Sequence, residues 1–142
     1  MNLQLTESKA LLKTAEGRSL LAPALYQPTE EKIRARAESY AADPCCRAFF
    51  CLLNEVPAAL CILRRQETGA EIEALAVSPD LQHQGIGRWM MDQLRHRLFL
   101  PIFAETDDDA VGFYKKCGFS IRSLGEKYPG VIRYYCILSM ED

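Results

Sequence analysis

The sequence predicts an α/β fold of the α+β type, in which helices flank a mixed and mostly antiparallel sheet. Helix-like patterns fill the first 45 residues, three strand-like runs follow between residues 48 and 77, and helices then alternate with strands. Consecutive strands joined by short turns pair antiparallel. The strand–helix–strand unit at residues 71–104 instead predicts one parallel pair.

The composition limits the class of protein. The chain has 142 residues, 49% hydrophobic and 25% charged, so we expect a single globular domain over residues 1–142. The net charge of −2 lacks the basic excess of nucleic-acid-binding proteins. No run approaches the ~20 apolar residues of a membrane span, and the N-terminus does not resemble a secretory signal. We therefore expect a cytoplasmic protein with reduced cysteines, without a nucleic-acid partner, a membrane partner or a metal site.

Capping and alternation signals justify the first elements. Leu3 and Leu5 alternate with polar neighbours, as in a strand. Thr6 or Ser8 is a suitable N-cap for a helix that we expect to run to about Gly17.

The middle of the chain changes from a helical to a strand period. Thr29 predicts the N-cap of a helix that ends before Pro44. Strand runs follow at residues 48–53, 57–63 and 71–77, separated by turns. Alternation in the third run predicts two faces, Glu71, Glu73, Leu75 and Val77 on one and Ile72, Ala74 and Ala76 on the other.

The last part of the chain alternates between the two periods. Apolar residues recur every four positions from Ile86 to Leu98 and predict a helix. A strand is expected at residues 102–104, a helix at 109–117, and two strands at 119–124 and 134–138.

A glycine-containing turn carries the strongest chemical signal. Residues 75–88 read LAVSPDLQHQGIGR, with Gly85 and Gly87 at the predicted start of a helix. Glycines at this spacing let the backbone approach a ligand, and the free N–H groups of the first helical turn favour an anion such as a diphosphate. A strand–helix turn without a ligand would explain the same pair. The spacing lacks the signatures of a P-loop, a dinucleotide fold and a serine hydrolase.

Two motifs occur together in this half of the chain. Gln82-x-x-Gly85-x-Gly87 is followed by residues 107–119, which read DDDAVGFYKKCGF. They resemble, in order and separation, the Q/R-x-x-G-x-G/A and N-x-x-A-x-x-x-Y-x-x-x-G-F motifs of the GNAT superfamily of acyl-CoA-dependent N-acyltransferases. The likeness covers residues 71–120, and the first 45 residues match in layout only.

The resemblance implies that the parallel strand pair splays open and holds coenzyme A, with acetyl-CoA as co-substrate and no metal. Main-chain groups at the end of one strand would pair with the pantetheine arm, and the Val77 N–H would face the thioester oxygen. The glycine turn and the Arg88 N–H would hold the diphosphate. The implied cofactor-binding residues are Leu75, Ala76, Val77, Gln82, His83, Gln84, Gly85, Ile86, Gly87, Arg88, Asp107 and Tyr114.

Three residues in or beside the matched motifs have a second explanation. The Arg88 side chain either adds charge to the diphosphate site or is a solvated helix-face arginine. Asp107 stands where the family has an asparagine that contacts the pantetheine arm, and it is also a suitable helix cap. Gly112, unfavourable inside a helix, is explained by close approach of the cofactor or, as we favour, of the preceding helix.

The resemblance implies Tyr114 as a catalytic group, and the proton acceptor is sought among the carboxylates because both histidines lie elsewhere. Tyr114 would protonate the departing thiolate, which requires either a lowered tyrosine pKa or a concerted transfer, since ordinary pKa values are ~10 for tyrosine and ~8.5 for a thiol. Glu73, expected on the same face as Val77, or Glu105 would take the proton of the amine, directly or through a water chain. Cys117 offers a covalent route that we rank below a role in core packing.

The function expected from the sequence is acetyl transfer from acetyl-CoA to a primary amine by direct reaction in a ternary complex. The alternative is a non-catalytic acyl-CoA-binding sensor or interaction module with the same fold. The acceptor is a small molecule or a peptide, and the oligomeric state is either monomer or homodimer. A cationic acceptor is predicted from acidic residues around the expected opening, namely Glu71, Glu73, Glu105, Asp107, Asp108 and Asp109.

Overall fold

A computed structural model describes residues 2–139 and confirms the predicted fold class. Its sheet has seven strands in the order β1-β2-β3-β4-β5-β7-β6. The strands are β1 (Leu3–Glu7), β2 (Cys46–Leu53), β3 (Val56–Gln66), β4 (Gly69–Val77), β5 (Ile102–Asp107), β6 (Ser120–Tyr128) and β7 (Val131–Leu138). The helices are α1 (Lys9–Leu12), α2 (Ala15–Leu21), α3 (Glu30–Ala42), α4 (Ile86–Leu98) and α5 (Asp108–Lys116), with short 3-10 helices at Ala22–Ala24 and Pro79–Leu81.

The parallel pair β4–β5 is confirmed, and it is short. Only Ala70 with Ile102 and Glu71 with Phe103 are in register between the two strands, although both strands continue for several residues. All other neighbouring strands pair antiparallel. The sheet therefore divides beyond Glu71 into a β1–β4 half and a β5–β7–β6 half. We call the space between them the β4–β5 gap.

Apolar residues form a separate core on each face of the sheet. On the first face, which we call the α4–α5 face, residues such as Met90, Leu94 and Tyr114 pack against strand residues such as Cys61 and Ile102. On the opposite α1–α3 face, a second core joins the first three helices to β2, β3 and β4, through Leu12, Leu21, Tyr40, Phe50 and Ile62. The two faces of the gap are thus lined by different elements.

A β-bulge in β4 corrects the predicted faces of that strand. Ile62 pairs with Ala74 and Leu63 with Ile72, which leaves Glu73 without a residue opposite it on β3. The extra residue shifts the alternation by one position. Ile72 consequently packs into the core of the α4–α5 face together with Leu75 and Val77, although a regular strand places it on the other face.

The N-terminal helical segment also differs from the prediction. It consists of two helices, because Thr14 ends α1 and caps α2 by accepting a hydrogen bond from the N–H of Gly17. Gly17 therefore lies inside α2 and does not end a helix. A Cβ on Gly17 would lie 2.0 Å from the carbonyl oxygen of Leu11, so the tight turn between the helices requires a glycine there.

Candidate active site

The β4–β5 gap offers main-chain groups without a neighbouring strand. Residues 72–77 of β4 pair with β3 on one side only, and β5 pairs with β7. Over these residues the edge of β4 that faces the gap has no ladder partner within residues 2–139. An extended ligand can bind such an edge as an added strand does, which fits the expected position of a pantetheine arm beside Leu75, Ala76 and Val77.

The turn after β4 is tied to the strand that precedes it. The Ser78 N–H donates to the Ala58 carbonyl at 2.8 Å, and the Gln82 side-chain amide donates to the Val77 carbonyl at 3.1 Å. Gln82 therefore positions the loop on the end of β4. The sequence indicated Gln82 as part of the diphosphate site without revealing this positioning contact.

The loop then reaches the N-terminus of α4 through two left-handed residues. His83 has φ of 65° and Gly85 has φ of 82°. The first helical hydrogen bond runs from the Trp89 N–H to the Gly85 carbonyl, so the N–H groups of Ile86, Gly87 and Arg88 precede the ladder of the helix. A Cβ on Gly85 would meet no atom within 4 Å. The N–H donors thus stand beside open space, as an anion-binding helix N-terminus requires.

Gly87 has a different structural role from Gly85. A Cβ on Gly87 would lie 2.5 Å from Cε1 and 2.8 Å from Cζ of Phe113 on α5. Gly87 itself is buried. This glycine therefore allows α5 to pack closely on α4.

A groove of about 480 Å³ runs along α4 from its N-terminus, and no signal in the sequence indicated it. It is lined by Gly85, Arg88, Trp89, Asp92, Arg95, Cys117, Gly118 and Leu138. The helical residues of this set recur at intervals of three and four, which is the spacing of one helix face. The spacing of these residues along α4 was visible in the sequence. The sequence did not show that the end of α5 lies opposite them.

Tyr114 lies in the core of the α4–α5 face. Its ring makes edge-to-face contacts with Phe113 and Phe119, at centroid distances of 5.4 and 5.1 Å. Burial raises the pKa of the phenol well above its usual range, and the neighbouring thiols of Cys61, Cys136 and Cys117 act in the same direction. Burial therefore opposes a lowered tyrosine pKa in the ligand-free protein and favours the alternative of a concerted transfer.

The start of α5 explains Asp107 as a helix cap. Its Oδ1 accepts hydrogen bonds from the N–H groups of Asp109 and Ala110, at 3.0 and 3.3 Å. The next residue, Asp108, accepts a hydrogen bond of 2.6 Å from the Tyr134 hydroxyl on β7. These contacts fix the first turn of α5 where β5 ends at the gap.

Gly112 does not serve the packing of α5 on the preceding helix. It is exposed, and a Cβ placed on it would meet no atom within 4 Å. The helix-packing explanation that we favoured is therefore wrong.

Glu105 is held by two cations at the end of β5. The Lys127 Nζ lies 3.1 Å and the Arg133 Nε 3.2 Å from its carboxylate oxygens. The hydrogen bond from Lys127 is the main cause that holds the pKa of the Glu105 carboxyl below its usual range, and Arg133 adds to it. A carboxylate in this environment is a weak base.

Glu73 lies at the bulge, where the two halves of the sheet begin to diverge. Its Oε2 is 3.6 Å from the Arg64 Nε, whereas the Arg64 NH1 makes a shorter contact of 2.7 Å with Asp43. Arg64 is opposite Cys46 on β2, and Cys46 belongs to the core of the α1–α3 face. Glu73 therefore points to that face and not to the face of Val77, which corrects the sequence expectation.

The thiol of Cys117 is poorly suited to nucleophilic catalysis. Burial raises its pKa to about 11, and the nearby Arg88 opposes that shift only in part. Since the thiolate is the reactive form, a raised pKa makes a covalent cysteine route less favourable. The described residues contain no group of three side chains placed to hold a metal ion, and none of their helices has the length and hydropathy of a membrane span.

The fold and the site define a class of acyl-CoA-dependent acyltransferase, and comparison with known proteins identifies the family. The model of the acetyltransferase (GNAT) family matches residues 14–119. The chain therefore belongs to the GNAT acetyltransferase family.

Individual relatives agree with this assignment. Peptidyl-lysine N-acetyltransferase YjaB of Salmonella typhimurium is 37% identical over 73 residues, which is 44% of this chain and 48% of the relative. The match thus spans about half of that relative's length.

Solved structures share the fold over nearly the whole chain. An aminoglycoside 6'-N-acetyltransferase complexed with coenzyme A superposes with a TM-score of 0.77 at 13% identity, over 98% of each chain. A GNAT acetyltransferase from Elizabethkingia anophelis with acetyl-CoA bound gives a TM-score of 0.66 at 19% identity, over 97% of this chain and 98% of that chain.

Proposed function

We propose that this protein is a cytoplasmic N-acetyltransferase, one domain over residues 1–142, that transfers an acetyl group from acetyl-CoA to a primary amine in a ternary complex. The observation that carries the proposal is the junction of the β4–β5 gap with the N-terminus of α4. An unpaired strand edge for an extended arm leads directly to N–H donors beside open space. Acetyl-CoA supplies the acetyl group as a thioester.

The chain provides a separate contact for each part of this co-substrate. Main-chain groups of Leu75 to Val77 hold the extended arm, and the N–H groups of residues 86–88 hold the diphosphate. The groove along α4, which begins at Gly85 and is lined by Arg88 and Trp89, accommodates the nucleotide end. His83 and Gln84 shape the loop, and Gln82 ties it to β4.

The amine enters from the α1–α3 face, because α4 and α5 occupy the other side of the gap. Glu73 points to that face and makes a single ion pair of 3.6 Å, whereas Glu105 is held by two cations and has a lowered pKa. A carboxylate that is less engaged by cations is the better proton acceptor. We therefore assign the general base to Glu73, acting directly or through water.

Tyr114 donates its proton as the carbon–sulfur bond breaks. With its pKa raised by burial, the phenol stays protonated at neutral pH and is always ready to donate. Complete proton transfer from the phenol to a thiolate that has already left is unfavourable, since the thiol is the stronger acid. The proton transfer is therefore concerted with departure of the thiolate.

A panel of amines tests the proposed function. The protein is incubated with acetyl-CoA and each amine, and free thiol and acetylated product are both measured. Thiol release that requires the amine and equals the product formed supports the proposal. Acetyl-CoA binding without release, for any amine of the panel, would favour the sensor alternative.

A further inference from the structure

Arg64 of β3 lies between two carboxylates, one at the end of α3 and one on β4. Its NH1 is 2.7 Å from Oδ2 of Asp43, whereas its Nε is 3.6 Å from Oε2 of Glu73. A guanidinium is planar and carries several donors, so it can serve two carboxylates at once. Arg64 is therefore bound closely to Asp43 and only loosely to Glu73. We call these three residues the Asp43–Arg64–Glu73 network.

The main chain around Asp43 fixes the position of its carboxylate. Asp43 caps the C-terminal end of α3, and its Oδ1 accepts a hydrogen bond of 2.9 Å from the Cys45 N–H. Its carbonyl oxygen accepts from the Cys46 N–H at 3.1 Å and from the Lys9 Nζ at 2.8 Å. The hydrogen bond from Cys45 is the main cause that holds the pKa of the Asp43 carboxyl below its usual range, and Arg64 adds to it. Asp43 is therefore an anion held in one place at neutral pH.

The other ionisable groups around Glu73 do not take the place of Arg64. On β4, Glu71 is a second anion, and it accepts a hydrogen bond of 2.9 Å from Gln66. On β2, the thiol of Cys46 is neutral because burial raises its pKa. The cations of neighbouring elements have other partners, namely Lys9 and Arg18 with the carbonyls of Asp43 and Lys13, and Lys127 and Arg133 with Glu105 across the gap. Within the described part of the chain, Arg64 is thus the cation that contacts Glu73.

A loose ion pair suits a general base better than a tight one. A general base must be deprotonated before it acts, and it must be able to accept a proton in the transition state. A cation in close contact favours the charged carboxylate and makes it a weaker proton acceptor. A carboxylate without a cation takes up a proton at higher pH and loses a partner that orients it. By holding Arg64 closely, Asp43 keeps Glu73 between these two extremes.

We propose that Asp43 is a positioning residue for the acetyl transfer, which holds Arg64 where it orients the Glu73 carboxylate without capturing it; this rests on the proposed function. Asp43 acts through Arg64. Loss of the Asp43 charge frees the guanidinium to pair closely with Glu73, whereas loss of the guanidinium leaves Glu73 without its ion pair. The two changes therefore act on Glu73 in opposite directions, which general damage to the fold does not do.

The pH dependence of kcat, measured with both substrates saturating, tests the proposal. The wild-type kcat should fall on the acid side as Glu73 takes up a proton, and this fall should be absent from Glu73→Gln. It should move by about 0.5 pH unit or more to lower pH in Asp43→Asn, and to higher pH in Arg64→Gln. Asparagine keeps the acceptor for the Cys45 N–H and removes only the charge. Movement in one direction in both variants, no movement, or a fall that persists in Glu73→Gln would overturn the proposal.

Further variants separate the network from general effects of charge. Because Asp43 acts through Arg64, the double variant should follow the profile of Arg64→Gln alone, and Arg64→Lys should return towards wild type. Glu7→Gln is the matched control. It breaks the pair of Glu7 with Arg47, 2.8 Å apart, on the other face of the sheet, where Arg47 stacks on Phe49. A double variant midway between the single variants, or a moved profile in Glu7→Gln, would contradict the network.

Carbon-13 NMR of glutamate-labelled protein keeps the test independent of turnover. The side-chain carboxyl signal that disappears in Glu73→Gln identifies Glu73, and its titration is followed in each variant. A midpoint at lower pH in Asp43→Asn and at higher pH in Arg64→Gln supports the role of Asp43 even when no amine is acetylated, in which case only the proposed function fails. Unmoved midpoints in a protein that acetylates amines would overturn the network and leave the proposed function intact.

Discussion

Tyr114 is the residue whose chemistry the structure defines most sharply. Replacement by phenylalanine should lower kcat and kcat/KM by about 10²-fold or more, the range for one acid–base group, and leave acetyl-CoA affinity nearly unchanged because the ring stays packed. An aryl thioester donor, whose thiolate leaves without help, should partly rescue the variant. Initial rates with both donors measure this, and equal losses with the two donors would remove Tyr114 from the role of proton donor.

The pKa of Tyr114 adds a pH signature to the same residue. Because burial raises this pKa, the phenol remains protonated through the range in which an ordinary tyrosine, with a pKa of ~10, begins to ionise. Between pH 8 and pH 10, the rate of the wild-type protein should therefore fall no more steeply than the rate of Tyr114→Phe.

The two candidate bases differ in how firmly the protein holds them. Glu73→Gln should reduce kcat by about 10²-fold, since a positioned general base contributes at least that much. Glu105→Gln removes a carboxylate already held by Lys127 and Arg133 and should reduce kcat by less than about threefold. Measurement of kcat at saturating acetyl-CoA for both variants decides between them, and the reverse order of losses would assign the base to Glu105.

At the scale of secondary-structure elements, the N-terminus of α4 is the feature to test. Gly85→Asn keeps a residue that tolerates φ near 82° but places a side chain in the open space beside the N–H donors. Calorimetric titration should show acetyl-CoA affinity lowered at least about tenfold. Gly130→Asn is the matched control, since Gly130 has φ of 79°, also has open space and lies in the distant β6–β7 turn. Loss of affinity in both variants, or in neither, would contradict the assigned site.

The packing of α5 on α4 makes a separate prediction about folding stability. Gly87→Ala places a Cβ within 2.5 Å of Phe113 and should lower the free energy of unfolding by about 1–3 kcal/mol. Gly112→Ala, on the exposed side of α5, should raise it by about 0.5–1 kcal/mol. Urea denaturation measures both. A stable Gly87→Ala protein would show that the two helices are less closely packed than the structure indicates.

Local sequence signals predicted most elements of this fold but not their irregularities. The sequence showed the four-residue apolar period of α4 and the glycine that precedes this helix. It also offered Asp107 as a cap for α5. The bulge at Glu73 could not be predicted, because it depends on the register of β4 against β3. It places the side chain of Glu73 on the opposite face of the sheet from the one expected. The separate α1 and α2 depend on the capping of α2 by Thr14 and on the close approach of Gly17 to the Leu11 carbonyl, which were not predicted.

At the scale of the whole molecule, the strand–helix–strand pattern predicted the parallel pair, but only the family resemblance predicted that the two strands splay apart. Its physical basis is the two-residue register of β4 with β5, after which each strand keeps a partner on its other side only. The acidic residues near the gap were visible in the sequence. Their partners Arg64, Lys127, Arg133 and Tyr134 were not, because they are distant from them in sequence.

The central claim is direct acetyl transfer in a ternary complex formed across the β4–β5 gap. Initial rates of free-thiol release, measured while acetyl-CoA and an accepted amine are both varied, test it most directly. The account predicts release that requires both substrates and double-reciprocal lines that intersect, unchanged in a Cys117→Ser variant. Parallel lines would indicate a covalent acetyl-enzyme, and the absence of thiol release with every amine would contradict acetyl transfer itself.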